Sequence, residues 1–267
     1  MEIISKISKG SRMDQIYIPK NRVGFHIGSY VLLKPLETKK ITEKPFFYNI
    51  DEIEPIKLGL INNVFNVLSN IAGDYSNILV TGSFLEKGFN FNDIDLILIS
   101  ESEIDVKYCE DMLNNNLGIK FHIILINNKT LIRGLSTDPL YQMMVSKCVA
   151  KNRFIYKTKN EVNYKILDLH LIKSKSLIDN FDFLTGDEKY KLIRNIVAID
   201  LFIKNNKVTI DTVDLEIKKL FGNKPIEELK KNILVADKKS FLKKYRKYYG
   251  QLSDKILKGI KNESKQK

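Results

Sequence analysis

Apolar positions recur at two different spacings along this chain, and the change of spacing divides it. Between residues 77 and 126 three short runs are apolar almost without a break: Asn77-Ile78-Leu79-Val80-Thr81, Ile94 to Ile99 with Asp95 interrupting, and Phe121 to Ile126. Runs this short and this unbroken predict strands buried on both faces. Around them the spacing turns helical. Pro55 opens a helix that carries Ile61, Val64, Phe65, Leu68 and Ile71 on one face and meets Gly73 near its end. Further helices are predicted over 104–113 and 139–149, and a last short strand at Phe154 to Tyr156. Strands alternating with helices predict an α/β core over 55–160. From Asn163 onward every pattern is helical. Thr185 and Glu188 form a capping box ahead of Leu192, Ile196, Ile199 and Phe202, and Gly222 stops a helix after Leu215, Leu220 and Phe221. A final helix sets Phe241, Tyr245, Tyr248, Leu252, Ile256 and Ile260 on one stripe. The expected fold class is α+β, with a helical C-terminal domain over 161–267.

The first 36 residues follow a third pattern. Short β-prone runs around Ile3, Ile7, Ile16, Ile18, Val31 and Leu33 are punctuated by Gly10, Pro19, Gly24 and Gly28. The Gly10-Ser11-Arg12 turn, the strand Ile16-Tyr17-Ile18-Pro19-Lys20 and the following Gly28-Ser29-Tyr30-Val31 resemble the AbrB-like swapped-hairpin module. That resemblance implies a homodimer formed through residues 1–36, since two such hairpins interlock, and it implies DNA binding. A β-extension packed on the chain's own core is the alternative. Arg12, Lys20 and Arg22 offer phosphate contacts or ordinary edge protection. Residues 37–54, with Pro45 and mixed charge, read as a linker.

Composition narrows the class. The chain is 43% hydrophobic and 28% charged, with no apolar run long enough to span a bilayer. Its first residues, Met1 to Lys6, lack the basic start and apolar run expected of a secretory leader, and its two cysteines, Cys109 and Cys148, form neither a disulfide framework nor a metal-ligand spacing. A cytoplasmic protein with no membrane partner is the expectation. The net charge of +12 is unevenly spread: residues 224–267 hold fourteen Lys/Arg against five Asp/Glu, leaving a surplus of only three for the other 223 residues. A basic surplus at one end suits a phosphate-rich partner, RNA or DNA, met by Lys238, Lys239, Lys243, Lys244, Arg246 and Lys247. A solvated lysine face is the competing reading. Tyr245, Tyr248 and Tyr249 have the spacing of core residues more than of a stacking platform.

The chemistry gathers at Val80-Thr81-Gly82-Ser83, nine further residues, and Asp93-Ile94-Asp95-Leu96. Gly82 follows a buried strand and, lacking a Cβ, lets backbone approach a triphosphate. Ser83 brings a hydroxyl to the same turn. Asp93 and Asp95, two apart on a strand, leave one face together. Hard carboxylate oxygens so paired suit Mg²⁺ bridged to phosphates. This arrangement resembles the nucleotidyltransferase superfamily pattern, G-[GS], a spacer, then D-x-[DE] at a second strand. The resemblance implies a DNA-polymerase-β-like core, a nucleoside triphosphate substrate, Mg²⁺ or Mn²⁺ held by Asp93 and Asp95, and nucleotide binding by Gly82 and Ser83. It implies transfer of a nucleotidyl group to RNA, a protein side chain or a small molecule. It also implies a third carboxylate on the next strand, where this chain has Lys120-Phe121-His122-Ile123. Imidazole is a poor Mg²⁺ ligand. His122 therefore stands either as a general base or as the mark of a degenerate site, which makes a nucleotide-sensing regulatory or nucleic-acid-binding protein the alternative function. Asp138, the nearest downstream acid, sits in the helix-start sequence Ser136-Thr137-Asp138-Pro139, and His26 and His170 have no catalytic partner in the sequence.

Overall fold

The computed structural model describes residues 7–11, 13–18, 20, 23–29, 31, 44–156, 158–234 and 237–265. Two compact units divide the chain, Met1–Thr42 and Glu43–Lys267. In the first, β1 (Ile7–Ser8) pairs antiparallel with β2 (Gln15–Ile16), Ile7 opposite Ile16. The glycine turn between them is where the sequence predicts it. Gly24 and Gly28 hold φ of 82° and 88°. Met13, Tyr17, Val23 and Ile27 are exposed. The remaining expectations for this segment, including Ile3, Arg12, Pro19, Arg22, Tyr30 and Leu33, lie outside the described residues, as does 37–43.

The second unit is built on a five-stranded mixed sheet. Its strands in chain order are β3 (Phe46–Tyr48), β4 (Asn77–Thr81), β5 (Asp93–Ile99), β6 (Lys120–Ile126) and β7 (Cys148–Ala150), lying side by side as β3-β7-β4-β5-β6. Only β5 and β6 run parallel. The connection between them is α2 (Val106–Leu117), which joins α1 (Pro55–Ile71) on one face. There Ile78, Val80, Ile94, Leu96, Phe121 and Val149 meet Ile61, Phe65, Leu68, Cys109 and Leu113. The opposite face turns Leu79, Ile97, Ile99, Cys148 and Ala150 toward α3 (Asn128–Thr137) and α4 (Pro139–Ser146). Because both faces are covered, β4 from Ile78 to Val80 and β5 from Leu96 to Ile99 are apolar at every position, and this is why their sequences do not alternate.

Three expectations fail at the sheet's far side. Part of the predicted linker is the edge strand β3, whose Phe46, Phe47 and Tyr48 pair with Ala150, Val149 and Cys148. The helix expected through Val149 stops at Ser146, and its last residues form β7, inserted between β3 and β4. Small and β-branched Cys148, Val149 and Ala150 fill both faces of the sheet there, a demand set by neighbours distant in sequence. Phe154 to Tyr156 is not a strand. The Phe154 backbone instead bonds the Tyr48 hydroxyl through both its N–H (3.0 Å) and its carbonyl (2.8 Å).

Among the described residues six helices complete the unit: α5 (Tyr164–Ser174), α6 (Ser176–Asp179), α7 (Gly186–Ile203), α8 (Ile210–Phe221), α9 (Asn223–Lys230) and α10 (Lys238–Lys265). Asn163 caps α5, the Thr185–Glu188 box starts α7, and Gly222 at φ 88° ends α8. Their shared core centres on Ile193, Ile196, Phe202, Ile217, Tyr245 and Ile256, and Leu140 and Met143 of α4 pack against it. Helix α4 thus serves both cores. Among the described residues no helix is long and apolar enough to cross a membrane.

Candidate active site

At the start of β5 the buried face of the sheet opens. Residues 93, 95, 97 and 99 share one side of the strand. Ile97 and Ile99 lie under α3 and α4, whereas the Asp95 side chain keeps 38% of its surface. Asp93, one pleat further out, is half-buried. Both residues lie in β5, whose alternation puts positions two apart on one face.

Gly82 follows the last residue of β4. Its partner across the sheet is set by Thr81, which lies opposite Asp95. Gly82 holds φ 83° and ψ −164°, a backbone conformation that L side chains avoid. A Cβ there would come within 3.1 Å of Asp95 Cγ and closer still to Oδ2. The sequence argument for this glycine is room for a phosphate. The structure supplies a nearer reason, since the Asp95 carboxylate itself lies against the Cα. Ser83 then opens a short 3-10 turn, Ser83–Leu85, with an exposed side chain. Thr81 Oγ1 donates to the Met144 carbonyl at 2.6 Å, tying the end of β4 to the last turn of α4.

Helix α2 returns the chain so that β6 lies parallel to β5, in a register that sets His122 beside Asp95 and Lys120 beside Asp93. His122 is 59% exposed, and its Nδ1 stands 3.5 Å from Asp95 Oδ1. That separation is longer than a tight hydrogen bond. Lys120 shares the parity of His122 and so its side of the strand. The sequence reading missed it, although strand parity alone marks residues 120 and 122 as neighbours on one face. The open face therefore carries two carboxylates, an imidazole and an ammonium beside the Gly82-Ser83 turn. Among the described residues no three His, Cys, Asp or Glu side chains group to hold a metal ion.

No protein-family model matches this chain, and no curated protein does.

Other candidate groups are occupied elsewhere. Asp138 caps α4 through Leu140 N–H, and its second oxygen meets His170 Nε2 at 2.9 Å, so neither supplies the site. His26 lies exposed in the first unit, where its carbonyl accepts from Ser29 N–H. Both cysteines are buried and unpaired, and burial pushes the Cys148 thiol up to about 12. A cleft of about 810 Å³, lined by Tyr48, Gln142, Phe154, Asn160 and Lys207 among others, contains none of the residues around Asp95.

The six basic residues named at the start of α10 divide into two groups. Lys238 pairs with Asp182 and stands 5.4 Å from the Phe181 ring, which makes it structural. Lys239, Lys243, Lys244, Arg246 and Lys247 are exposed. Tyr245 donates its hydroxyl to the Ser174 carbonyl and Tyr248 to Asp200, both from within the helical core. The tyrosines are therefore packing residues, as their spacing indicates.

Proposed function

We propose that this chain is a metal-dependent nucleotidyltransferase with a DNA-polymerase-β-like core. The observation that carries the reading is Gly82, at positive φ and pressed against the Asp95 carboxylate, with Asp93 on the same open face. A glycine turn so close to a pair of acids has a purpose when a triphosphate and its cation share the space above them. The donors fit one Mg²⁺ or Mn²⁺. Asp93 and Asp95 would hold it. When bound, the ion neutralises charge on the phosphates.

The chain's own groups supply the rest. Ser83 offers its hydroxyl to a phosphate oxygen from the turn, and Lys120 adds a cation to the same face. An acceptor hydroxyl attacks the α-phosphorus, the bond to the bridging oxygen breaks, and pyrophosphate leaves. The acceptor proton passes to His122, whose ring is steadied by Asp95 at 3.5 Å. The helices from Asn163 onward form the acceptor-side wall, reached through α4, which packs on both cores.

The test is incubation of the purified chain with each labelled nucleoside triphosphate and Mg²⁺ or Mn²⁺, with and without total RNA. Label appearing on RNA, protein or a small molecule supports transfer, and absence of binding refutes the reading. A second reading is a nucleotide-sensing regulatory protein without turnover. It draws on the lack of a third acidic ligand beside the pair, among the described residues, and on the exposed basic face of α10. Binding without transfer supports that one.

A further inference from the structure

The loop between the Gly82-Ser83 turn and Asp93 is held from beneath by a buried cation. Lys57, in the first turn of α1, is 0% exposed. Its Nζ donates to the Glu86 carbonyl at 2.5 Å and pairs with Glu54 Oε2 at 3.0 Å. The other Glu54 oxygen accepts from Gly88 N–H at 2.7 Å. Around the ammonium stand the rings of Phe84, Phe89 and Phe91 at 5.7, 5.4 and 5.9 Å. Phe84 and Phe91 also meet edge to face at 4.9 Å.

Stripping an ammonium of water is costly, and a methionine would fill nearly the same volume without that cost. What the charge adds is connection. Through Lys57 and Glu54 the start of α1 grips the loop at residues 86 and 88 and seats its aromatic rings. The grip persists over a wide pH range. The Gly88 N–H, the Glu54 N–H and Lys57 hold the Glu54 carboxyl down at about 2, so it stays an anion.

We propose that Lys57 and Glu54 are positioning residues for the triphosphate: by fixing the 83–92 loop they set Gly82 and Ser83 at the height that Asp93 and Asp95 require. The proposal rests on the nucleotidyltransferase reading. Neither residue touches the substrate, and both act through the loop.

The experiment compares Lys57→Met with a matched control, Lys151→Met, in the full-length chain. Lys151 is also an ammonium against aromatic and hydroxyl groups, bonded to Ser69 Oγ at 2.5 Å and to the Tyr75 hydroxyl, 5.0 Å from the Tyr75 ring. It lies at the other end of β4, where its N–H donates to the Ile78 carbonyl. Triphosphate affinity with Mg²⁺ and hydrogen exchange at Gly88 are measured well below the melting temperature of each variant. Lys57→Met is expected to weaken affinity at least tenfold and to accelerate exchange at Gly88, while Lys151→Met loses comparable thermal stability and stays within twofold on both. Equal affinities in the two variants overturn the proposal and leave the nucleotide reading standing. A wild-type chain that binds no triphosphate overturns both. Should Lys57→Met fail to fold, Glu54→Gln replaces it, with at least threefold weaker binding expected and unchanged binding decisive against the proposal.

Discussion

Gly82→Ala probes the site at its tightest point. The backbone at φ 83° and ψ −164° belongs to a region entered almost only by glycine, and holding an L residue there costs on the order of 1–3 kcal/mol. The new methyl would also stand 3.1 Å from Asp95 Cγ and 3.2 Å from its Cβ, inside ordinary carbon contact at about 3.5–4.0 Å. Relief means pushing the carboxylate aside by roughly the missing half ångström or more, and a misplacement of about 1 Å in a reacting geometry can cost on the order of 100-fold. The stability loss, taken as about 2 kcal/mol, corresponds to a fall of roughly 4–8 °C in Tm. Triphosphate affinity should weaken by at least about tenfold, or about 1.4 kcal/mol. Gly118→Ala separates the two effects: φ there is 66°, with nothing within 4 Å of an added Cβ, so it carries strain without a clash. Melting curves and calorimetric titration with each Mg²⁺–triphosphate make the comparison. A Gly82→Ala chain that binds triphosphate no worse than Gly118→Ala would refute the claim that the glycine exists to seat Asp95.

Under the proposed mechanism His122→Ala lowers turnover at least tenfold while Kd for the triphosphate stays within about twofold. Undiminished turnover, or a gain in His122→Asp, assigns the position to a missing metal ligand instead. Asp200, whose side chain is 5% exposed, accepts from Lys204 at 2.7 Å, Lys255 at 2.9 Å and Tyr248 at 2.9 Å. Breaking a fully buried pair costs about 3–5 kcal/mol; with both lysines about half exposed and free to rehydrate, Asp200→Ala should cost about 1–3 kcal/mol in urea unfolding. Burial raises the Asp200 carboxyl pKa, but the bonds from Lys204, Lys255 and Tyr248 outweigh it and leave it below 3.8. The wild-type advantage should therefore be full above pH 3.8 and shrink as pH falls through the lowered value, and an advantage that grows in acid would contradict this sign. Reversing the charge of Lys239, Lys243, Lys244, Arg246 and Lys247 together should weaken RNA or duplex DNA binding. It should also flatten the plot of log affinity against log salt by about 0.7–0.9 per lost phosphate contact. Unchanged affinity makes the face a solvated one.

How much of this was legible in the sequence depends on how far apart in the chain the interacting groups lie. Ile78–Val80 and Leu96–Ile99 declare themselves because two-sided burial writes an unbroken apolar run into each strand, and Ile123–Ile126 continues the pattern on an edge strand whose first residues are polar and exposed. The start of α1 at Pro55, the box at Thr185 and the stop at Gly222 are equally plain, since each is a bargain between residues a few positions apart. The edge strand Phe46–Tyr48 and its neighbour Cys148–Ala150 are hidden for the opposite reason. Each is only three residues long, and the pairing that makes them strands joins positions about a hundred residues apart. From sequence alone the first passes for a linker and the second for the tail of a helix.

The site divides in the same way. Residue types and spacing are enough to nominate Gly82, Ser83, Asp93 and Asp95, and the resemblance to the nucleotidyltransferase pattern points to His122. They do not say what these residues do to one another. That Asp95 lies between the Gly82 Cα and the His122 ring follows from an antiparallel register on one side of β5 and a parallel register on the other. The register also brings Lys120 to Asp93, and the fold of α1 brings Lys57 beneath Glu86, 29 positions away. A central strand with neighbours on both sides is the one place where three separated segments can be held at fixed spacing by backbone bonds alone. The charged residues cluster at the end of that strand because there the sheet supplies rigid placement while α3 and α4 no longer cover its face. Further along β5 the same face is apolar, since a carboxylate at Ile97 or Ile99 would be buried without a partner. The change from Asp to Ile within a single strand marks where protein packing ends and exposure to solvent begins.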